Sequence, residues 1–153
     1  MRIPNEILIP EFRQYIAERK EVLFTPSGVS MRPFIEGDRD SVVLTALDGE
    51  PRIGDILLAG IPVNGATSYV LHRLVRLEHD QQGKITYVLQ GDGNLFGEER
   101  CAREDIIARI TAIKTPDGRT KTLTRGRLWF YLKPLRKWLL KLYRHTWLKW
   151  CYN

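Results

Sequence analysis

Cysteine is scarce in this chain. It occurs only at Cys101 and Cys151, and neither residue lies in a cluster of cysteines and histidines. A zinc ribbon needs several closely spaced ligands and a disulfide scaffold needs several cysteine pairs, so both classes are excluded. The composition instead favours a reducing compartment.

Long apolar runs are also missing. Glu6 and Glu11 fall where the apolar stretch of a secretion signal would lie. No run approaches the roughly 20 apolar residues of a membrane-spanning helix. We therefore expect a cytoplasmic protein that is neither exported nor integral to a membrane.

Acidic residues are absent from the end of the chain, where Asp117 is the last. Of the 24 Lys and Arg residues, eight lie in residues 125–153, whereas all 18 Asp and Glu residues precede that segment. The formal net charge of +6 therefore comes entirely from the C-terminal segment. Such an asymmetry indicates a segment that meets an anionic surface, either a membrane or a nucleic acid.

The remaining composition is that of one folded domain, with 43% hydrophobic and 27% charged residues among 153. Asn5 can cap a helix over residues 5–20, where apolar side chains recur at helical spacing. After it, apolar segments alternate with turn residues and predict strands at 21–25, 41–47, 55–61, 68–78, 85–90, 106–114 and 119–124. We therefore predict a mainly β fold, with a helical segment at 1–20, a β domain at 21–124 and a basic C-terminal helix within 125–153.

The first candidate site is a loop that runs from Pro26 to Pro33 and contains Gly28 and Ser30. Because proline restricts φ and glycine permits unusual backbone angles, such a loop can hold a serine hydroxyl and nearby N–H groups in one direction. A serine nucleophile with an oxyanion hole requires this arrangement. Taken alone, the segment also fits an ordinary turn with an exposed serine.

The next candidates are His72 and Asp92. The predicted strand 68–78 places His72 between apolar neighbours, on the same face as Val70 and Leu74. An imidazole in that position can act as a general base, and it equally fits a core histidine bonded to a backbone carbonyl. Asp92 can accept the other ring N–H of His72 and orient it. Asp-Gly is also a common hairpin turn, so a turn role for Asp92 stays open.

Three segments carry a resemblance, in the order Ser27-Gly-Val-Ser-Met-Arg-Pro, Tyr69-Val-Leu-His-Arg-Leu-Val and Gln90-Gly-Asp-Gly-Asn. Together with Pro51-Arg-Ile-Gly-Asp-Ile-Leu-Leu, between the first two, they resemble the superfamily of type I signal peptidases and self-cleaving SOS-type repressors. The resemblance covers about residues 21–113. It implies a signal-peptidase-like β fold and a serine peptidase activity.

One departure from the common pattern selects the subtype. Most bacterial members use a lysine base, but here His72 stands at the matching position and no lysine occurs between Lys20 and Lys84. The chain therefore resembles the Ser–His variant of endoplasmic-reticulum and archaeal signal peptidases. That resemblance implies Ser30 as nucleophile, His72 as base and Asp92 as the orienting acid, with no metal or cofactor. It also implies that oxyanion and substrate contacts come from the loop of the nucleophile, at Gly28, Val29, Met31 and Pro33.

The C-terminal segment is predicted to form a basic amphipathic helix. Its apolar stripe consists of Leu135, Trp138, Leu139, Leu142 and Tyr143, and basic residues lie mainly opposite. A Trp-rich apolar face beside Lys and Arg is typical of a helix in the membrane interface. We expect the helix to contact an anionic membrane through Lys133, Arg136, Lys137, Trp138, Lys141, Arg144 and Trp147. Packing of the helix on the domain is an alternative, and nucleic-acid binding is the least favoured.

These observations predict a serine endopeptidase that hydrolyses a peptide or precursor protein through an acyl-enzyme at Ser30, with His72 as general base. The edges of the β body are expected to bind the peptide by strand addition. The alternative is a non-hydrolytic, membrane-peripheral protein that keeps the fold and binds peptides or partners. Self-cleavage is less favoured, because the Ala59-Gly60 bond lies downstream of Ser30 in a predicted strand.

Overall fold

The structure is a computed structural model that describes residues 5–121, 123 and 126–151. Within that range, it leaves out the side chains of residues 5–7, 127, 130, 133 and 147–151.

The fold is mainly β, as predicted, with helices near both ends of the described chain. The helices are α1 (Asn5–Ala17), α2 (Arg127–Tyr131) and α3 (Arg136–Cys151), and 3₁₀ turns lie at Arg103–Asp105 and Lys133–Leu135. The strands are β1 (Val22–Phe24), β2 (Ser41–Thr45), β3 (Ile56–Val63), β4 (Ala66–His79), β5 (Ile85–Gln90), β6 (Glu99–Cys101), β7 (Ile106–Lys114) and β8 (Thr120–Lys121).

Apolar segments separated by turn residues located most of these strands. The predicted strands 85–90 and 106–114 coincide with β5 and β7, and the others overlap β1–β4 and β8 with slightly different ends. Residues 122 and 124, in the predicted strand 119–124, lie outside the described residues. Strand β6 has no predicted counterpart, because three residues are too few to show alternation. The helix predicted over 5–20 ends at Ala17, and Arg19 then adopts a φ of 60°, outside the helical range.

The eight strands form one antiparallel sheet. Their order is β1-β2-β7-β3-β4-β5-β6, and β8 pairs with β7. Alternate residues of the central strand β3 enter two apolar cores on opposite faces of the sheet. Ile56 and Leu58 pack with α1, whereas Leu57 and Ala59 pack with residues of β4 and β5. Because both of its faces are covered, β3 is apolar along its buried length.

Strand β4 has one partly open edge. Strand β3 pairs with it along its whole length, from Ile56↔Arg73 to Val63↔Ala66. Strand β5 pairs only with its second half, beginning at Arg73↔Gln90. In the described part of the chain, residues 66–72 therefore have a strand on one side only. His72 lies at the inner end of this open edge.

Candidate active site

Ser30 lies in the loop between β1 and β2, which folds back on itself. The N–H of Asp38 donates to the carbonyl oxygen of Pro26 over 2.7 Å. Gly37 packs directly on Gly28, because a Cβ at position 37 would lie 2.0 Å from the Gly28 carbonyl oxygen. No side chain fits in that space, so the loop can close only with glycine at position 37.

The loop after β5, residues 91–94, contacts the backbone of Ser30. The N–H of Gly93 donates to the carbonyl oxygen of Ser30 over 2.7 Å. A Cβ at Gly91 would lie 2.5 Å from the same oxygen, and a Cβ at Gly93 would lie 2.8 Å from the carbonyl oxygen of Val29. The two glycines therefore permit a close backbone approach, through which the first and third sequence motifs meet.

Ser30 and His72 line one cavity of about 160 Å³. The two residues come from different parts of the chain, Ser30 from the loop after β1 and His72 from β4. The cavity wall is otherwise mostly apolar, with contributions from Phe24, Met31, Leu58, Tyr69 and Leu71. The structure thus brings together the two residues that the sequence singled out as nucleophile and base.

His72 is buried and its ring is held by a carboxylate. Its Nδ1 lies 2.9 Å from Oε2 of Glu99, in β6. An ionised carboxylate can only accept, so Nδ1 donates in this hydrogen bond, and in the neutral ring Nε2 then carries the lone pair. This tautomer is the one that a general base needs.

The sheet register explains why Glu99 reaches His72. Leu89 of β5 lies opposite Leu74 of β4, and Glu99 of β6 lies opposite Leu89. Opposite residues of an antiparallel pair share a face, and Leu74 shares a face with His72 two positions earlier. The three strands therefore place Glu99 and His72 on the same side of the sheet.

The predicted hydrogen bond between Asp92 and His72 is wrong, because Glu99 holds that place. The carboxylate of Asp92 is instead bound by Arg73, whose Nη2 and Nε lie 2.7 Å from Oδ2 and 2.9 Å from Oδ1. The physical reason is the alternation of β4, which directs His72 and its neighbour Arg73 to opposite faces. Asp92 thus lies on the side of the sheet away from Glu99.

Arg73 is enclosed by groups that fit its planar guanidinium. Besides Asp92, it donates from Nη1 to the carbonyl oxygen of Gly54 over 2.8 Å. The ring of Phe34 lies 5.3 Å from its Cζ atom, and a Cβ at Gly126 would lie 2.9 Å from its Nε. A buried charge is tolerated only with such partners. In the sequence, Arg73 is simply the residue after His72 in the second motif, and no contact was predicted for it.

The loop residues predicted to bind substrate divide between two cavities. Gly28 and Met31 line the cavity of Ser30 and His72. Val29 lines a second, larger cavity beside α3. Pro33 is among the lining residues of neither, and it is half-buried in the turn that follows.

The inner face of the C-terminal segment packs on the domain. The indole N–H of Trp129, in α2, donates to the carbonyl oxygen of Asp92 over 2.9 Å, and its ring meets Phe34 edge-to-face at 5.6 Å. The Tyr143 hydroxyl, in α3, donates to Oε2 of Glu36 over 3.2 Å. Burial and the nearby Glu36 carboxylate raise the pKa of Tyr143 to about 12. The alternative prediction, that the C-terminal helix packs on the domain, is therefore correct for this inner face.

Arg136 belongs to that inner face, so the prediction that it faces a membrane is wrong. Only 2% of the residue is exposed. Its Nε donates to the carbonyl oxygen of Trp129 over 3.0 Å, and its Cζ lies 5.3 Å from the centre of the indole ring. Burial lowers the pKa of the Arg136 guanidinium. Stacking on an aromatic ring is a property of arginine that helical periodicity does not show.

Exposed apolar residues recur every three or four positions along the C-terminal segment, in α2, the 3₁₀ turn Lys133–Leu135 and α3. We name as the outer stripe the five residues Leu128, Tyr131, Leu135, Trp138 and Leu142, which are each 52–83% exposed. Lys137, Lys141 and Arg144 are exposed too, as their predicted contact with a membrane requires. The side chains of Lys133 and Trp147, predicted to share that contact, lie outside the described residues. None of the helices in the described part of the chain has the length and hydropathy of a membrane-spanning segment.

Glu99 is the site residue that sequence reasoning missed. Its only signal is an acidic pair, Glu98-Glu99, a few residues after the Gly-Asp-Gly-Asn segment. No protein-family model, curated protein or solved structure matches this chain.

Proposed function

We propose that the protein is a serine endopeptidase of the signal-peptidase-like type, with Ser30 as nucleophile and His72 as general base. The observation that carries the proposal is the shared cavity of Ser30 and His72, together with the hydrogen bond between Nδ1 of His72 and Oε2 of Glu99. A buried histidine in the required tautomer beside a loop-borne serine is the arrangement of a serine hydrolase.

In the proposed reaction, the Ser30 hydroxyl attacks the peptide carbonyl and Nε2 of His72 takes its proton. Glu99 then stabilises the imidazolium, which later gives the proton to the leaving amine. His72 next removes a proton from water, and the resulting attack releases the acyl group from Ser30. Glu99 thus replaces Asp92 as the orienting acid of the proposal.

The oxyanion hole of the proposal uses the backbone N–H of Ser30. Among the hydrogen bonds of the described residues, this N–H has no protein acceptor. It is therefore available to a developing oxyanion, and removal of such a donor typically costs about 10²–10³-fold in rate. The Gly93 hydrogen bond to the Ser30 carbonyl oxygen supports the same peptide segment.

The substrate in the proposal is an extended peptide that pairs with the open edge of β4, residues 66–72. Unpaired N–H and C=O groups at a sheet edge are a template for strand addition. The small, mostly apolar cavity next to that edge would take one small side chain of the peptide. The resemblance to signal peptidases likewise implies small residues just before the scissile bond.

The proposal is tested by cleavage of a diverse peptide library, read by mass spectrometry. We expect cleavage by the wild type, none above background by Ser30→Ala, and a loss of about 10²–10⁴-fold for His72→Ala. Ser41→Ala and His79→Ala serve as matched controls that keep activity. Undiminished cleavage by Ser30→Ala or His72→Ala would refute the mechanism.

A second candidate function is peripheral binding to an anionic membrane surface through the outer stripe. The observation that favours it is the exposure of five apolar residues at spacings of three and four, next to exposed lysines. Apolar burial and attraction to anionic lipid would act together on this segment. The same surface would serve the alternative in which the protein binds peptides or partners without hydrolysis.

Vesicle sedimentation tests the second candidate. We expect the wild type to sediment with vesicles of mixed neutral and anionic phospholipid, and Trp138→Glu/Leu142→Glu to stay in solution. Leu23→Glu, at an exposed apolar residue of β1, is the control and should sediment like the wild type. Equal sedimentation of all three proteins would exclude the outer stripe as the membrane contact.

A further inference from the structure

A second cavity lies on the other side of the Ser30 loop. Its volume is about 520 Å³, within the range of about 300–1,000 Å³ that is typical of ligand sites. On the side of the domain it is lined by Val29, Arg32, Gly93 and Leu95. Val29 directly precedes Ser30 in the chain, and Gly93 donates its N–H to the Ser30 carbonyl oxygen. The cavity therefore borders the candidate active site through the backbone that holds the nucleophile.

The opposite wall of this cavity is one flank of α3. Four residues that carry or can carry positive charge line it, Lys137, Lys141, Arg144 and His145, and all four are exposed. Their positions at i, i+4, i+7 and i+8 bring them to one side of the helix. We name the cavity, with these residues and its domain wall, the basic groove.

The charge of the basic groove is unbalanced. No carboxylate is among its lining residues, as far as the structure describes the chain. The Arg32 guanidinium is paired with Glu36. Among the described residues, Lys137, Lys141 and Arg144 form no ion pair. The groove therefore attracts an anionic group that the chain itself does not supply.

Apolar side chains also line the basic groove. Val29 and Leu95 lie on the domain wall and Leu140 lies on the helix wall. A phosphate or a lipid headgroup would use only the charges of such a surface. A peptide that carries acidic and apolar residues matches both features.

The geometry points to an acidic segment of the peptide substrate as the occupant of the basic groove. We propose that acidic residues flanking the scissile bond bind there, while a small side chain on the other side of the Ser30 loop enters the cavity of Ser30 and His72. The inference rests on the proposed peptidase function, since it assigns a substrate preference to the same site. The outer stripe adjoins the groove, because Nζ of Lys141 lies 5.9 Å from the centre of the Trp138 ring. Binding to anionic vesicles is therefore measured beside binding of the peptide.

The test measures binding, so that it does not depend on turnover. The probes are two fluorescein-labelled peptides with the same small-residue segment, one followed by three Glu residues and the other by three Gln residues. Fluorescence anisotropy with the full-length Ser30→Ala protein gives each dissociation constant. We expect the Glu peptide to bind about tenfold more tightly, and the difference to shrink as salt screens the charges.

The decisive variant reverses the charges of the groove. In a Ser30→Ala background, Lys137→Glu/Lys141→Glu/Arg144→Glu should abolish or invert the preference for the Glu peptide. Lys114→Glu, at an exposed lysine of β7, is the control and should keep it. Circular dichroism melting checks that each variant is folded, and Lys137→Gln/Lys141→Gln/Arg144→Gln should give an intermediate preference.

Three results would overturn the inference. The first is equal binding of the Glu and Gln peptides, and the second is a preference that survives charge reversal. The third is a loss of binding to anionic vesicles on charge reversal with the peptide preference unchanged, which would assign the groove to the membrane. Absence of cleavage by the wild type would instead count against the peptidase proposal. The anisotropy result would still stand, because it measures binding and not turnover.

Discussion

The guanidinium of Arg73 and the carboxylate of Asp92 form an ion pair in which each side chain is only 1% exposed, with Nη2 and Oδ2 2.7 Å apart. Arg73 follows His72 in β4, and Asp92 lies between the two glycines that contact the Ser30 loop. The pair therefore links the strand of the candidate base to the support of the candidate nucleophile. It assigns Asp92 a role in holding the site together.

Loss of this pair should destabilise the whole domain. We expect Asp92→Ala to lower the free energy of unfolding by about 3–5 kcal/mol, because it leaves the Arg73 charge buried without its partner. Urea unfolding followed by circular dichroism measures the change. Glu78→Gln, which affects an exposed ion pair with Arg76 and Arg100, is the control and should have little effect. A similar small effect of Asp92→Ala would contradict the assignment.

Glu99→Gln should separate catalysis from stability. The amide keeps the shape of the side chain but removes the negative charge that stabilises the imidazolium, so we expect kcat to fall by about 10²–10⁴-fold. The melting temperature should stay close to that of the wild type, because Glu99 is partly exposed. Kinetics on a peptide from the library measure the effect. Glu98→Gln, at the neighbouring carboxylate, should keep activity, and equal activity of both variants would remove Glu99 from the mechanism.

Gly93→Ala should displace the nucleophile. The added Cβ would lie 2.8 Å from the carbonyl oxygen of Val29 and 3.2 Å from that of Ser30, so the Ser30 loop must move. Since small misplacements at a reacting centre can cost about 10²-fold, we expect a loss of that order in kcat/KM. Gly97→Ala is the control, because its Cβ meets nothing within 4 Å and only strains the backbone. A loss of activity that is equal in both variants would indicate strain alone.

The carboxylate of Asp40 should make the free energy of unfolding depend on pH in the acidic range. Burial alone would raise the pKa of Asp40, but hydrogen bonds from Arg39, Lys121 and the Glu36 N–H outweigh it and hold the pKa below its usual value. A depressed pKa in the folded state stabilises the protein fully above the unfolded-state value of about 3.9, and the contribution disappears as pH falls through the folded-state value. Asp40→Asn removes this contribution.

Urea unfolding of the wild type and Asp40→Asn between pH 2 and pH 7 measures this effect. We expect a constant difference in the free energy of unfolding from pH 5 to pH 7, and a smaller difference below about pH 4. A difference that stays constant down to pH 2 would show that the charge of Asp40 does not contribute.

Much of the fold followed from local patterns. Apolar segments bounded by turn residues located the strands 85–90 and 106–114. The apolar stretch after Asp55 predicted a buried strand, and both faces of β3 are indeed covered. Strand β6 was not predicted, because its three residues are too few to show a pattern. It is nevertheless the strand that carries Glu99.

The candidate site was predicted in part. Ser30 and His72 came from their loop and strand contexts and from a resemblance, and the fold brings them to one cavity. The carboxylate was misassigned because Asp92 and Glu99 both follow β5 and both lie in acidic or glycine-rich segments. Distance along the chain does not distinguish them, whereas the register of β4, β5 and β6 does.

The order of residues along the chain was enough to establish a mainly β body, a loop able to present a serine, and a C-terminal segment that holds all of the excess positive charge. These properties depend on alternation, composition and turn chemistry, which act over a few residues. The partner of His72 lies 27 residues away, and Arg136 is buried against Trp129 on a neighbouring helix. Such contacts depend on strand pairing and helix docking, because hydrogen bonds and stacking require the two groups to meet within a few ångströms, and only packing of the whole chain sets those distances.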